Sequence, residues 1–309
     1  MNSRQLRFFL KVAELGSVTR AASELHIAQP ALSRQMQQLE GELGVVLFHR
    51  SDRGVSLTDA GRLLQDRAIS LVRHLEGVRQ EVRDESSELS GELTLAVPPS
   101  MADLLIIPAV AQFRTSHPKV TLKVVEYMSG VIDAWAMVQQ GHADLGIVTE
   151  GEPWAGLVRV PFVTEPLCVI APRDAGLDFG RPLDLAEVAD LPLILPSRPN
   201  TFRLIVEAAL SKADLSLRMA LEINTPKLLV AAVEAGLGFG VLAYCASHTQ
   251  FAQDRVSVAP IRGHDVSWSI IHSRDSPLSR AGAFMQEVFL SVARERVEAG
   301  HWRNASLSG

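Results

Sequence analysis

The stretch "LHIAQPALSRQMQQLEGELGVVLFHR", residues 25–50, places a proline at the head of a helical pattern. Leu32, Met36 and Leu39 recur at i, i+4 and i+7, which draws one apolar stripe along a helix beginning near Gln29. Pro30 suits that beginning, because the first helical turn needs no N–H and proline presets φ. Gln29, Ser33 and Gln37 recur at four-residue spacing on a different face, with Arg34 beside them. A core has no use for these four side chains, so their face is open to a partner.

Two more helical patterns precede this one. Leu6, Phe9, Leu10 and Ala13 mark the first, and Gly16 supplies a left-handed end to it. Ser17 or Thr19 can cap the second, whose inward face is Ala21, Ala22 and Leu25. The small pair Ala21-Ala22 admits close helix packing, and the connection His26-Ile27-Ala28 is short, as in a helix-turn-helix. After the third helix, VVLFHRSDRGVSLT (residues 45–58) reads as two short strands around a Ser-Asp-Arg-Gly turn. Residues 1–58 thus read as an N-terminal all-α winged helix-turn-helix with a basic-tipped hairpin as its wing.

Residues 59–90 read as a linker helix and hinge. Thr58 caps the helix and Asp59 suits its positive end. Gly61, Leu64, Ala68, Leu71, Leu75, Val78 and Val82 follow a 3-4-3-4 spacing with charges between them, the seam of a paired helix. The alternative is a long helix packed on its own domain. DESSELSG, residues 84–91, breaks the helix.

From Gly91 to residue 309 strands alternate with helices. ELTLAV, VTLKVVEY and DLGIVT read as strands, with helical patterns at 102–116 and 130–140 between them. A second set comes next: strands PLCVIAP, PLILPS, RMALEI and GFGVL, with helices near 201–213 and 226–235. RVSVAPI, VSWSIIHS and a last helix from Pro277 to about Glu298 complete the chain. Apolar strands with crossover helices predict a parallel sheet covered on both faces. The expected architecture is a C-terminal α/β two-lobed domain, one lobe about 91–161 and 266–300, the other about 162–265, with a cleft between.

Bulk properties narrow the class. A length of 309 residues predicts two or three domains, and 47% apolar with 21% charged residues is ordinary for a globular chain. No apolar run approaches the ~20 residues a bilayer requires. Arg4, Arg7 and Lys11 are spread through the apolar residues of MNSRQLRFFLKVAELG, which therefore does not read as a signal peptide. Cys168 and Cys245 each sit alone in an apolar stretch and read as buried reduced thiols of a cytoplasmic protein. Residues 1–58 carry seven Lys or Arg against five Asp or Glu, +2, while the whole chain is −5, so any nucleic-acid contact belongs at the N-terminal end.

Several tempting features carry no chemistry. GLGFG at 236–240 ends a helix and begins a strand, the reverse of a dinucleotide fingerprint. The nine histidines show no paired ligand spacing, so no metal site is expected, and no cofactor either. No G-x-S-x-G elbow is present, so an enzyme is not expected.

The run A-A-x-x-L-H-I-A-Q-P-A-L-S-R-Q-M-x-x-L-E from Ala21, then E-L-G-x-x-L-F-x-R, then R-G-V-x-L-T-x-A-G, resembles the LysR-type transcriptional regulators. The likeness is dense over the first 60 or so residues, and the linker helix and two-lobed body match the family in layout. HIAQPALS is similar to the nitrogen-assimilation-control branch.

Major-groove chemistry then assigns roles to the open face. Gln29 can pair with an adenine edge, Ser33 with either base, and Pro30 and Ala31 can meet a thymine methyl. Arg34 reads as a phosphate or guanine contact, and the first helical N–H groups can hold a phosphate. Gln37 reads equally as a contact or a solvated residue. Arg50 and Arg53 read as wing contacts to the backbone of double-stranded DNA, Arg53 reaching the minor groove. Arg50 alternatively holds the wing in place. Many family members carry Ser or Thr where this chain has Ala28, so a side-chain cap at that point is not expected.

The resemblance implies a periplasmic-binding-protein-like effector domain that senses a small metabolite, often a carboxylate, and an assembly that is dimeric through the linker helix and homotetrameric through the bodies. The residues add a reason for anion preference. Ser100, Ser129, Asn200-Thr201 and Thr225 each stand at a helix N-terminus beside free N–H donors, ends that line the interlobe cleft in this topology. Met101 and Phe202 are expected as apolar walls. Each of the polar residues reads alternatively as a plain N-cap. The rival functions are an effector-independent DNA-binding regulator and a metabolite-binding protein or enzyme that keeps its N-terminus as a dimerisation arm.

Overall fold

A computed structural model of the chain describes residues 1–51, 54–83, 89–127, 131–149 and 155–308. The chain divides into two compact units, the first essentially Met1–Ser87 and the second Glu88–Gln139 together with Ala143–Gly309.

In the first unit, α1 (Ser3–Leu15) opens on a capping box: Asn2 accepts from the Gln5 amide while the Gln5 side chain accepts from the Asn2 amide, both at 2.9 Å. Gly16 ends it at φ 60°. α2 (Val18–Glu24) is capped by Ser17, whose hydroxyl accepts from the Arg20 amide. α3 (Gln29–Leu43) comes next with Pro30 in its first turn, and Ala28 at the cap makes no side-chain bond. Phe9, Val12, Ala21, Ala22, Leu32, Met36 and Leu39 are sealed into one core.

β1 (Phe48–Ser51) and β2 (Gly54–Leu57) pair antiparallel as the wing, so the unit is helical plus a hairpin and not strictly all-α. Hydrogen bonds from the wing's backbone amides lock it to the helices, two of them to the Glu40 carboxylate. Glu40 accepts from the amides of Leu47 (2.8 Å) and Phe48 (3.3 Å), and Val55 donates to the Gly16 carbonyl at 2.9 Å. Gly54 sits at φ +124°, and a Cβ there would lie 2.6 Å from the Gly16 oxygen, so only glycine fits the approach.

α4 (Asp59–Arg83) starts at Thr58, whose hydroxyl donates to the Val46 carbonyl and accepts from the Gly61 amide. The seam read from the sequence divides in two. Leu64 and Ala68, joined by Val72 from outside that seam, pack into the unit's own core, because 3.6 residues per turn carries them round to α1. Leu71 and Leu75 are exposed together with Leu63, at 46%, 39% and 63%. The side chains of Val78 and Val82, and the 84–88 break, lie outside the described residues.

The second unit is built on a nine-stranded sheet. Its first end comprises β3 (Gly91–Val97), β4 (Val120–Glu126) and β5 (Leu145–Thr149), with α5 (Ile107–Ser116) and α6 (Val131–Gln139) as connections. The segment expected to be one helix from 102 begins as a π-helical turn, Ala102–Ile106, before α5. β6 (Leu157–Pro172) leads into α7 (Leu185–Ala189), β7 (Leu193–Leu195), α8 (Thr201–Lys212), β8 (Met219–Glu222), α9 (Pro226–Glu234) and β9 (Phe239–Ala243). α10 (His248–Ala252), β10 (Val256–Ser273), α11 (Arg280–Glu298) and β11 (Ser306–Leu307) close the chain.

The strand order is β4-β3-β5-β10-β6-β9-β7-β8, with β11 added on β6. Two parallel ends, β4-β3-β5 and β9-β7-β8, are thus joined by a long antiparallel pair, β6 and β10. The wholly parallel sheet expected from the sequence is corrected to a mixed one. The joining strands need no crossover helix, since each runs from one lobe to the other. Register shifts fall between Pro260 and Asp265 and between Trp268 and Ser269, where a bulge absorbs the bend between lobes.

Among the described residues no helix is long and apolar enough to cross a membrane, and no His, Cys, Asp and Glu group could hold a metal ion.

Candidate functional site

Two surfaces stand out, one in each unit. On α3 the buried stripe Leu32, Met36 and Leu39 fixes which side faces outward. Gln29, Pro30, Arg34 and Gln37 are exposed on that side, and Ala31 and Ser33 are half-buried. The Gln29 amide donates to the Ser33 hydroxyl at 3.1 Å, so these two side chains are pre-set against each other one turn apart. That bond uses one of two amide hydrogens, leaving an N–H and a carbonyl oxygen on Gln29 for a flat edge such as adenine. Among the described residues the side chains of Arg34, Gln37 and Arg50 make no hydrogen bond or ion pair. Arg50 is exposed on β1 opposite Val55. Arg53 lies outside the described residues.

The second surface is a cleft in the body of about 580 Å³, counting the space at its mouth that is open to solvent. Ser100, Asn200, Thr201 and Phe202 are among the residues that line it. Asn200 caps α8, its Oδ1 accepting from the Phe202 amide at 3.0 Å. Thr225 stands at the α9 cap without a side-chain bond, and its neighbours Asn224 and Pro226 line the cleft in its place. Met101, expected as an apolar wall, is fully buried in the core and is not among the residues that line the cleft. Ser129 lies outside the described residues.

Several lining residues escaped the sequence reading. Pro98, Tyr127, Thr149, Pro196 and Asn224 each follow or end a strand whose C-terminal end opens on the cleft, where α/β sheets place ligands. Reading from the last residue of each strand to two residues beyond it would have found them. Tyr127 donates to the Ile147 carbonyl at 2.8 Å, and burial pushes its phenol pKa up, so it stays neutral. Thr149 is 4% exposed, and its hydroxyl has no hydrogen-bond partner among the described residues. Trp268, on the joining strand β10, forms a wall and meets the Phe202 ring edge-on at a centroid distance of 6.1 Å. Among the described residues no lining side chain carries a charge. Cys168 and Cys245 are free and buried, and burial, reinforced by Glu165, pushes both thiols up, so neither is poised as a nucleophile.

A winged helix-turn-helix whose third helix shows an exposed polar face, carried by a chain with a separate α/β body, defines the class of DNA-binding regulators. Comparisons with known proteins narrow the class. The model described as "LysR substrate binding domain" matches residues 86–293, and "Bacterial regulatory helix-turn-helix protein, lysR family" matches residues 3–62. The chain is 32% identical to the nitrogen assimilation regulatory protein nac of Klebsiella aerogenes over 96% of its own length and 97% of that protein. A full-length OxyR variant from Pseudomonas aeruginosa has the same fold, with TM-score 0.76, 24% identity and 95% of both chains covered. Full-length CbnR in complex with its target DNA gives TM-score 0.66 at 24% identity, covering 96% of this chain and 99% of that one. The chain belongs to the LysR family of transcriptional regulators, with a DNA-binding helix-turn-helix and an effector-binding domain. Its relatives are named regulators, not enzymes.

Proposed function

We propose that this protein binds double-stranded DNA sequence-specifically through α3, with Gln29, Pro30, Ala31, Ser33 and Arg34 at base edges and phosphates, and that a small carboxylate in the body cleft modulates it. The observation that carries the DNA reading is the division of α3 into a sealed stripe and an outward row of Gln, Ser and Arg. Gln37, Arg50 and Arg53 extend the contact along the backbone. Arg50 has no partner among the described residues, which favours DNA contact over holding the wing.

The cleft suits an anion held without an ion pair. The N-termini of α8 and α9 supply N–H donors, Ser100, Thr149, Thr201 and Asn224 supply hydroxyls and an amide, and Trp268 and Phe202 offer apolar walls for the organic part. The unsatisfied Thr149 hydroxyl is the strongest single pointer, since a buried hydroxyl without a partner costs about 1–3 kcal/mol that a ligand oxygen would recover.

Assembly follows from Leu63, Leu71 and Leu75 on α4, an apolar row that a second copy's α4 would cover, giving a homodimer, with homotetramer formation through the bodies. The protein works in the cytoplasm, where its DNA is. Ligand binding favours one arrangement of the lobes and so respaces the reading heads.

Hydroxyl-radical footprinting on the gene's own upstream region tests the DNA reading: protected bases should lie in two major-groove half-sites about one helical turn or a multiple apart. Thermal-shift screening of the full chain with aliphatic and aromatic carboxylates tests the effector. A carboxylate that raises Tm in the wild type supports it, and a flat response to the whole panel favours an effector-independent regulator.

A further inference from the structure

Glu165 is fully buried on β6, at the point where that strand passes from one lobe to the other. Its Oε1 accepts from the Trp268 indole at 2.7 Å. Its Oε2 accepts from the Cys245 amide at 2.8 Å and from the Trp302 indole at 2.9 Å. A buried carboxylate that relies on neutral donors depends on every one of them, because water cannot replace a lost bond in a sealed core. Burial pushes its pKa up, and the donors pull the other way.

The three donors come from separate places: the cleft wall, the turn after β9, and the tail beyond α11. That tail is fastened at several points. Trp302 is sealed at 1% exposure, Arg303 lies over the Phe251 ring at 5.0 Å and the Phe179 ring at 5.8 Å, and Ser306–Leu307 pairs with Val163 and Thr164. Ser308 donates to the Phe162 carbonyl at 3.1 Å. The tail therefore lies along the residues immediately before Glu165. It also falls beyond residue 293, where the effector-domain match ends.

We infer that the C-terminal tail is a working part of the ligand cleft, and that Glu165 is a positioning residue through which docked Trp302 fixes the indole of Trp268 and, with it, Phe202. Phe202, Trp268, Glu165 and Trp302 form an unbroken chain of contacts from cleft to tail. A molecule that presses on Trp268 must then change how firmly the tail is held, and tail docking must change its affinity by the same factor. This rests on the reading of the cleft as the effector site, but its test uses no ligand, so the two stand or fall separately.

Hydrogen exchange of the full-length protein decides the matter. In Trp302→Phe and in Glu165→Gln, peptides spanning residues 200–206 and 265–270 should exchange at least tenfold faster than in the wild type. Peptides of α1 to α3 should stay unchanged. If Trp302→Phe does not fold, Arg303→Ala loosens the tail without touching a cleft residue and is read the same way, with a rise of several-fold. Unchanged exchange in the two cleft peptides, whether or not the tail itself loosens, overturns the proposal.

Discussion

Gln29 and Ser33 touch each other before any DNA is present, and that contact shapes what each does when removed. Gln29→Ala should cost about 1–3 kcal/mol of discrimination at one base position. Ser33→Ala also releases the Gln29 amide, so the double variant should lose less than the two single losses together; quantitative gel shifts over a set of single-base operator variants measure both. Additive losses would show the two residues reading independently. Thr149 makes the complementary case in the body. Thr149→Val removes a hydroxyl that has no partner and keeps the shape, so Tm in the absence of ligand should stay level or rise. The Tm gain from a stabilising carboxylate should shrink at the same time. A fall in ligand-free Tm would mean that the hydroxyl is already satisfied. Neither point was legible in full. Gln29 announces itself because a polar residue repeating at four-residue spacing beside an apolar stripe has no structural task, whereas a threonine at the end of a strand is ordinary β chemistry and gives no sign of its missing partner.

Elements were legible where local periodicity and capping agreed. Pro30 in the first turn and Leu32, Met36 and Leu39 in one stripe specify α3 within a few residues, and Gly16 and Ser17 punctuate the helices before it. β6 and β10 were legible only in pieces, PLCVIAP, RVSVAPI and VSWSIIHS, because Pro161 and the 262–265 junction with Gly263 look like breaks when the pairing that bridges them is unseen. β11 is two residues long, too short for any pattern, and its pairing with β6 depends on contacts some 140 residues away in sequence. The seam of α4 was legible as apolar but not as divided, since spacing alone does not say which flank meets its own domain. The exposed flank now carries a prediction. Leu71→Glu with Leu75→Glu should reduce the proposed tetramer to the dimer that the bodies alone hold in sedimentation velocity, while far-ultraviolet circular dichroism stays unchanged. Loss of the fold would instead place these residues in the core, and an unchanged assembly would show that α4 is not a contact.

The whole molecule sets a helix-turn-helix at one end of the chain and a cleft in the other unit, and its charge is divided accordingly: +2 over residues 1–58 on a chain of −5. Phosphate attraction at the basic end is sequence-independent, so it contributes affinity and salt sensitivity but no selectivity. Arg53→Ala should therefore weaken binding to every duplex alike and lower the salt slope by about 1, as seen in gel shifts across a salt series. Selectivity falls to α3. The most direct test is a competition gel shift at roughly 150 mM salt, with the gene's own upstream region set against a scrambled duplex of equal length and composition. The account predicts at least about 10³-fold preference for the upstream region, most of it lost in Gln29→Ala. Equal binding to the two duplexes by the wild type would contradict it.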